Sequence, residues 1–138
     1  MPTPSSRKQS IARWVLALFF IVAGINHFLA PEIYLGMMPA WLPFKDAANL
    51  ISGIAEIAGG LGLLLPRFRR PAAWGLIALL VAIFPANIQV ALQGHMPGLE
   101  NAPPALLWLR LVFQPVFIAW VWWTGLASAK PRKLTPPA

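Results

Sequence analysis

An all-α integral membrane protein, a four-helix transmembrane bundle with both termini in the cytoplasm, is the fold class this sequence predicts. Of its 138 residues, 58% are hydrophobic and only 11% charged, against about 45–50% and about 25% in soluble domains. Four apolar runs follow one another, each of roughly the 20 residues a helix needs to cross a bilayer. Lysines and arginines gather beside alternate ends of those runs. The 15 prolines and 10 glycines fall mostly between runs, where they punctuate helices rather than mark a disordered chain.

The first span is expected over residues 11–29, ending two residues before Pro31, which disfavours helix continuation. The second, 47–65, closes at Pro66; the third covers 72–92; the fourth, 104–127, begins with a proline, where a helix loses no donor. Together they form one membrane domain over 11–127, flanked by a loosely ordered tail at 1–10 and a basic tail at 128–138. Arg7, Lys8 and Arg13 precede or open span one, Arg67, Arg69 and Arg70 join spans two and three, and Lys130, Arg132 and Lys133 follow span four. All fall on one side. The other side offers Lys45 against Glu32, Asp46 and Glu100, so the positive-inside rule places both termini in the cytoplasm of a cell that carries the protein in its inner or plasma membrane. The competing reading treats residues 7–30 as a cleaved signal peptide, but the apolar run is long and no small-x-small site follows it.

The loop after span one, with Tyr34, Trp41 and Phe44 among three prolines, is expected at the outer interface as an anchor or as a lid over the bundle. The formal charge of +7 does not indicate nucleic acid, because its carriers sit where they orient a membrane protein. With no cysteine, a thiol relay, a thiolate-held iron–sulfur cluster and a disulfide framework are excluded. His27 and His95 lie in different segments without ligand spacing, so no metal site is expected, and no Gly-rich phosphate motif follows a strand.

Glu56, midway along span two, and Arg110, seventh in span four, are the ionisable residues deep in apolar runs. Such residues cost roughly 2.5–3.5 kcal/mol at a helix centre and normally face a bundle interior, water or a partner. At 1.5 Å per residue Arg110 falls about 9 Å and Glu56 about 14 Å below the outer boundary, close enough in depth to pair. Asn26 and His27 near the outer end of span one, Asn87 and Gln89 in span three and Gln114 in span four occupy the same half. Ser52, Glu56 and Gly60 form one row, and Arg110, Gln114 and Phe117 share a face. Asn87 follows Pro85, which can kink span three beside this cluster. The expectation is a polar pocket beneath the outer surface, with His27, Glu56, Asn87, Arg110, Gln114, Asn26 and Ser52 as candidate ligand-binding residues. The bland alternative is a buried Glu56–Arg110 pair that fixes register, with Asn87 and Gln114 as interhelical glue.

The stretch Gly24-Ile25-Asn26-His27-Phe28 with Pro31, the loop Met38-Pro39-Ala40-Trp41-Leu42-Pro43, the segment Ser52-Gly53-Ile54-Ala55-Glu56 and the segment Phe84-Pro85-Ala86-Asn87-Ile88 together resemble the DoxX-like family of small four-span membrane proteins, over about residues 11–127. By residue match, His27, Glu56 and Asn87 stand at that family's polar positions. The resemblance implies a role beside thiosulfate-to-quinone electron transfer, beside redox-defence enzymes, or in assembly, and does not assign one activity. The reading carried forward is an accessory or anchor subunit of a membrane redox process, with a quinone-like or other lipophilic ligand in the outer pocket, a soluble redox enzyme as partner and association of the chain with itself as a further expectation. The alternatives are a noncatalytic assembly or chaperone-like protein and, with less support, a small-solute transporter, since no paired discontinuous helices or repeat are evident.

Overall fold

The computed structural model describes residues 5–127, so Lys130, Arg132, Lys133 and the basic tail lie outside the described residues. It contains five helices: α1 (Arg7–Leu29), α2 (Pro31–Met37), α3 (Lys45–Leu64), α4 (Arg69–Gln93) and α5 (Pro104–Gly125). The four long ones are apolar and long enough to cross a membrane, and the chain is a multi-pass membrane protein by that measure.

Three helices start earlier than the hydropathy suggests, α3 by two residues at Lys45 and the other two by more. The Ser6 hydroxyl accepts a hydrogen bond from the Gln9 amide at 3.1 Å, an N-cap that begins α1 at Arg7. Residues 7–10 are therefore helical rather than part of a loose tail. Helix α4 begins at Arg69 and not after Pro71, because a proline in the first turn forfeits no intrahelical bond. Helix α1 ends with the Ala30 amide donating to the Asn26 carbonyl at 2.9 Å, and Pro31 opens α2. Gly94, at φ 75°, closes α4 in the left-handed conformation that glycine adopts freely.

The long helices form a closed ring in the order α1, α3, α4, α5, with α2 packed across one end against α1, α3 and α4. Every neighbouring pair is antiparallel. Ala17 meets Gly60 and Gly24 meets Gly53; Leu76 meets Gly59 and Ala72 meets Gly62; Gln114 reaches Leu80; Phe19 stacks on Phe117 and Trp120 reaches Ala12. The α1–α3 approach is backbone to backbone, as small residues permit in membranes.

Two apolar clusters hold the bundle. The larger, around Leu16, Phe20, Leu63, Leu76 and Val121, fills the half away from α2; the smaller joins Met37 of α2 to Val90 and Leu107. Trp14, Leu18, Ile51, Trp74, Val81 and Val112 point outward and are exposed, which suits a surface bathed in lipid. At the end opposite α2, buried Arg13 donates from Nε to the Thr124 carbonyl at 2.8 Å. Gln9 donates to the Trp123 and Ala127 carbonyls at 2.6 and 3.1 Å. The Trp123 and Thr124 carbonyls are in the last turn of α5, which leaves them without intrahelical partners, Ala127 follows the helix, and the arginine faces the negative end of the helix dipole.

Candidate functional site

Between the two apolar clusters lies a cavity of about 480 Å³. Its polar wall on α1 and α3 carries His27, Ser52 and Glu56; the facing wall on α4 and α5 carries Asn87, Arg110 and Gln114. Phe19, Phe113 and Phe117 form apolar sides, and Tyr34, Met37 and Met38 roof it from the segment that joins α1 to α3. Six of the seven residues expected at a pocket therefore line one space. Asn26 stands outside that lining and donates from Nδ2 to the Tyr34 hydroxyl at 2.8 Å, so it acts on the cavity through the roof. Gln89 does not line it.

The expected Glu56–Arg110 pair is not formed. Glu56 faces His27 instead, with Nε2 and Oε2 3.4 Å apart, and among the described residues this is the sole acid–base contact of salt-bridge length. Helix depth brings Glu56 and Arg110 to similar levels, but α3 turns its carboxylate toward α1.

Asn49 fixes the protonation pattern of this dyad. Its amide Nδ2 donates to the His27 carbonyl at 3.0 Å, so its Oδ1, 2.7 Å from His27 Nδ1, is the acceptor and Nδ1 carries a hydrogen. A neutral His27 then presents a bare lone pair to Glu56. Two acceptors face each other unless one proton sits between them, held on Nε2 or on the carboxyl group. The 3.4 Å separation is long for a hydrogen bond, and buried Glu56 Oε2 has no hydrogen-bond partner. It is the same oxygen that faces His27, so its need is met only by the proton the two side chains share. Tyr34 stacks on the imidazole with ring centroids 3.7 Å apart and 19° between planes, which locks the ring's orientation from above.

Across the cavity, Asn87 Nδ2 donates to Gln114 Oε1, and Gln114 Nε2 donates to the Leu80 carbonyl at 2.6 Å. Buried Gln114 is thus engaged at both ends and ties α5 to α4, the interhelical-glue role. Pro85 and Pro115 both lie inside continuous helices, and each removes one backbone donor in this layer. Arg110 is half-buried. Its guanidinium reaches the Met96 sulfur at 2.7 Å and Asn87 Oδ1 at 3.4 Å, a weak acceptor and a distant one for a group with five donors. No carboxylate among the described residues lies within 4.0 Å of it.

The arrangement is a largely apolar space with an under-satisfied cation at one wall and the His27–Glu56 dyad at the other. A molecule carrying an acceptor toward Arg110 and a polar group toward the dyad would engage both walls. No three His, Asp or Glu side chains among the described residues converge as metal ligands. A second hollow between α3 and α4, lined by Ala58, Gly59, Gly62, Gly75 and apolar neighbours, offers no polar side chain and no chemistry.

Asn49 and Met96 were not expected at the site, and Tyr34 only as part of a loop read as an anchor or a lid. Asn49 could have been found from its spacing, because Asn49, Ser52 and Glu56 fall at i, i+3 and i+7 on one face of α3. Nothing local in the sequence marks Met96 as a partner of Arg110.

Residues 16–125 match the model of a family described as a domain of unknown function (DUF8561). No curated protein and no solved structure matches the chain. The matched span takes in every residue that lines the cavity and reaches the last residue of α5, and the protein belongs to the DUF8561 family.

Proposed function

We propose that the protein binds a small lipophilic molecule with a polar, quinone-like head in the cavity between its helices, as an accessory or anchor subunit of a membrane redox process. The observation that carries this reading is Arg110 on one wall of the cavity without a carboxylate partner, facing the His27–Glu56 dyad on the other. Intramembrane charge is costly and is kept where it handles a ligand, proton or partner. A quinone carbonyl would accept from Arg110, and the opposite oxygen would lie toward the His27–Glu56 dyad. The aromatic and methionine walls fit a flat ring.

The redox association rests on the DoxX-like resemblance, and a soluble redox enzyme is the partner it proposes. Orientation with both termini in the cytoplasm, in the plasma or inner membrane, is supported by Arg7, Lys8, Arg67, Arg69 and Arg70 at the end opposite α2. The assembly reading is favoured by one observation, the Asn87–Gln114–Leu80 chain that joins two helices without needing a ligand.

The test is gentle purification of wild type and of Arg110→Met, with an absorption spectrum and mass spectrometry of co-extracted compounds. A lipophilic compound near one per chain in wild type and depleted at least tenfold in the variant is expected. A wild-type protein free of such compounds, or equal occupancy in both, would remove the ligand-binding reading and leave assembly.

A further inference from the structure

On its α1–α5 side the head cavity is bounded by apolar side chains, Phe19 and Ala23 of α1 and Phe113 of α5. Every hydrogen bond and ring stack between these two helices lies at or below the Phe19–Phe117 stack, toward the end opposite α2: Phe19 to Phe117, Ala12 to Trp120, Arg13 to Thr124 and Gln9 to Trp123. Above that stack, toward α2, no such contact joins them among the described residues. The cavity reaches this seam, where Phe19 and Ala23 of α1 face Phe113 of α5.

A shallow groove adjoins it along the outer face of α1. Phe19, Ala23 and Tyr34 border both the head cavity and this groove, and Val22, Ile25 and Leu29 carry it onward. From Val22 to Leu29 it runs about 10 Å along the helix. Its lining is apolar except for Asn26, whose amide donates to the Tyr34 hydroxyl, and the tyrosine ring itself is stacked on His27. The edge of the seam is therefore held in place by contacts on its roof side.

We infer that the ligand is a tailed amphiphile, its polar head between Arg110 and Glu56 and a single apolar chain leaving between Phe19 and Tyr34 to lie along the Val22–Ile25–Leu29 groove. This rests on the ligand-binding reading above and adds the ligand's shape and its route of entry. The lining that the two spaces share at Phe19, Ala23 and Tyr34 supports it. So does the chemistry, since the head space holds an under-paired cation and a carboxyl group while the groove beyond it is apolar. The bilayer side of the seam is where such a molecule already resides, so it enters sideways from lipid, head first.

The chain moves from lipid to an equally apolar groove, so it contributes little net affinity when binding is referenced to the membrane. What the groove provides is room, without which a tailed head could not enter. Hence the discriminating quantity is the effect of filling the groove on tailed and tail-less versions of one head. The probes are 2,3-dimethoxy-5-methyl-1,4-benzoquinone and the same ring with a decyl chain, titrated against protein in nanodiscs at concentrations referred to lipid. Wild type should bind both within about threefold of each other. Val22→Trp and Ile25→Trp, at lipid-facing positions that are 59% and 44% exposed, should weaken the decyl compound at least tenfold and leave the bare ring within twofold. A chain-terminal diazirine on the decyl compound should label the peptide holding Val22–Leu29. Bare-ring binding with no selective loss in either variant, or labelling on α5 or between α3 and α4 instead, would overturn the tail site and leave the head site standing. Failure of wild type to bind either compound would overturn both.

Discussion

Replacing Gly24 by alanine should separate α1 from α3 and destabilise the protein by about 1–3 kcal/mol, the usual cost of overpacking a tight contact. The added methyl would lie 2.7 Å from the Gly53 carbonyl oxygen and from Ile57 Cγ1, and 3.0 Å from the Ile57 amide nitrogen. Ordinary contact begins near 3.4 Å, so the helices must part by roughly 0.7 Å, and the Gly53 oxygen cannot rotate away as a side chain would. Gly60→Ala makes the same demand two turns along, at 2.8 Å from the Ala17 carbonyl oxygen. Because both changes push one helix pair apart, the double variant should cost less than the sum of the two. Gly75 is the control: a methyl there meets nothing within 4 Å, and Gly75→Ala should be neutral or stabilising by up to ~1 kcal/mol. Reversible SDS titration in mixed micelles measures all four. Equal destabilisation by Gly75→Ala and Gly24→Ala, or wild-type midpoints for Gly24→Ala and Gly60→Ala, would refute the close α1–α3 contact.

Arg110→Met should leave the SDS unfolding free energy within ~0.5 kcal/mol of wild type; a buried ion pair broken at one partner would instead cost about 3–5 kcal/mol, and a loss of that size would restore the Glu56–Arg110 pair. A double-mutant cycle over Asn87→Ala and Gln114→Ala should return a coupling of about 0.6 kcal/mol and up to ~1.7 kcal/mol, the range for membrane side-chain hydrogen bonds; zero coupling would mean the two amides do not bond. Arg13→Met removes a buried cation from the α5 C-terminus and should cost up to ~2 kcal/mol, read by the same titration, whereas no loss would show that the Thr124 carbonyl is satisfied without it.

The four long helices were legible because membrane-spanning runs are long and apolar, and prolines stop them between spans. Their starts were less so: charge at Arg7–Ser10 and at Arg69 and Arg70 looks like the end of a span, yet helices extend past the apolar stretch when a cap or a first-turn proline permits. The polar layer was legible as two helical rows, one through Ser52, Glu56 and Gly60 and one through Arg110, Gln114 and Phe117; both line the cavity except Gly60, which packs against Ala17 and Ile21 of α1. Pairing within that layer was not. Periodicity gives the face a residue shares on its own helix and says nothing of how that helix is rotated against its neighbours. Depth alone made Glu56 and Arg110 look like partners, while the rotation of α3 gives Glu56 to His27. Arg13 shows the same limit, since it reads as a topology signal and proves to be 6% exposed and bonded to the end of α5.

The Arg110–Glu56 cavity as a ligand site is tested most directly by calorimetric titration of the bare benzoquinone ring into wild type, Glu56→Gln and Arg110→Met in nanodiscs, after each variant's fold is verified by SDS titration. Saturable one-to-one binding in wild type that weakens at least tenfold in Arg110→Met, at unchanged stability, is the predicted result. Equal affinity in wild type and Arg110→Met, or heat that never saturates, would contradict it.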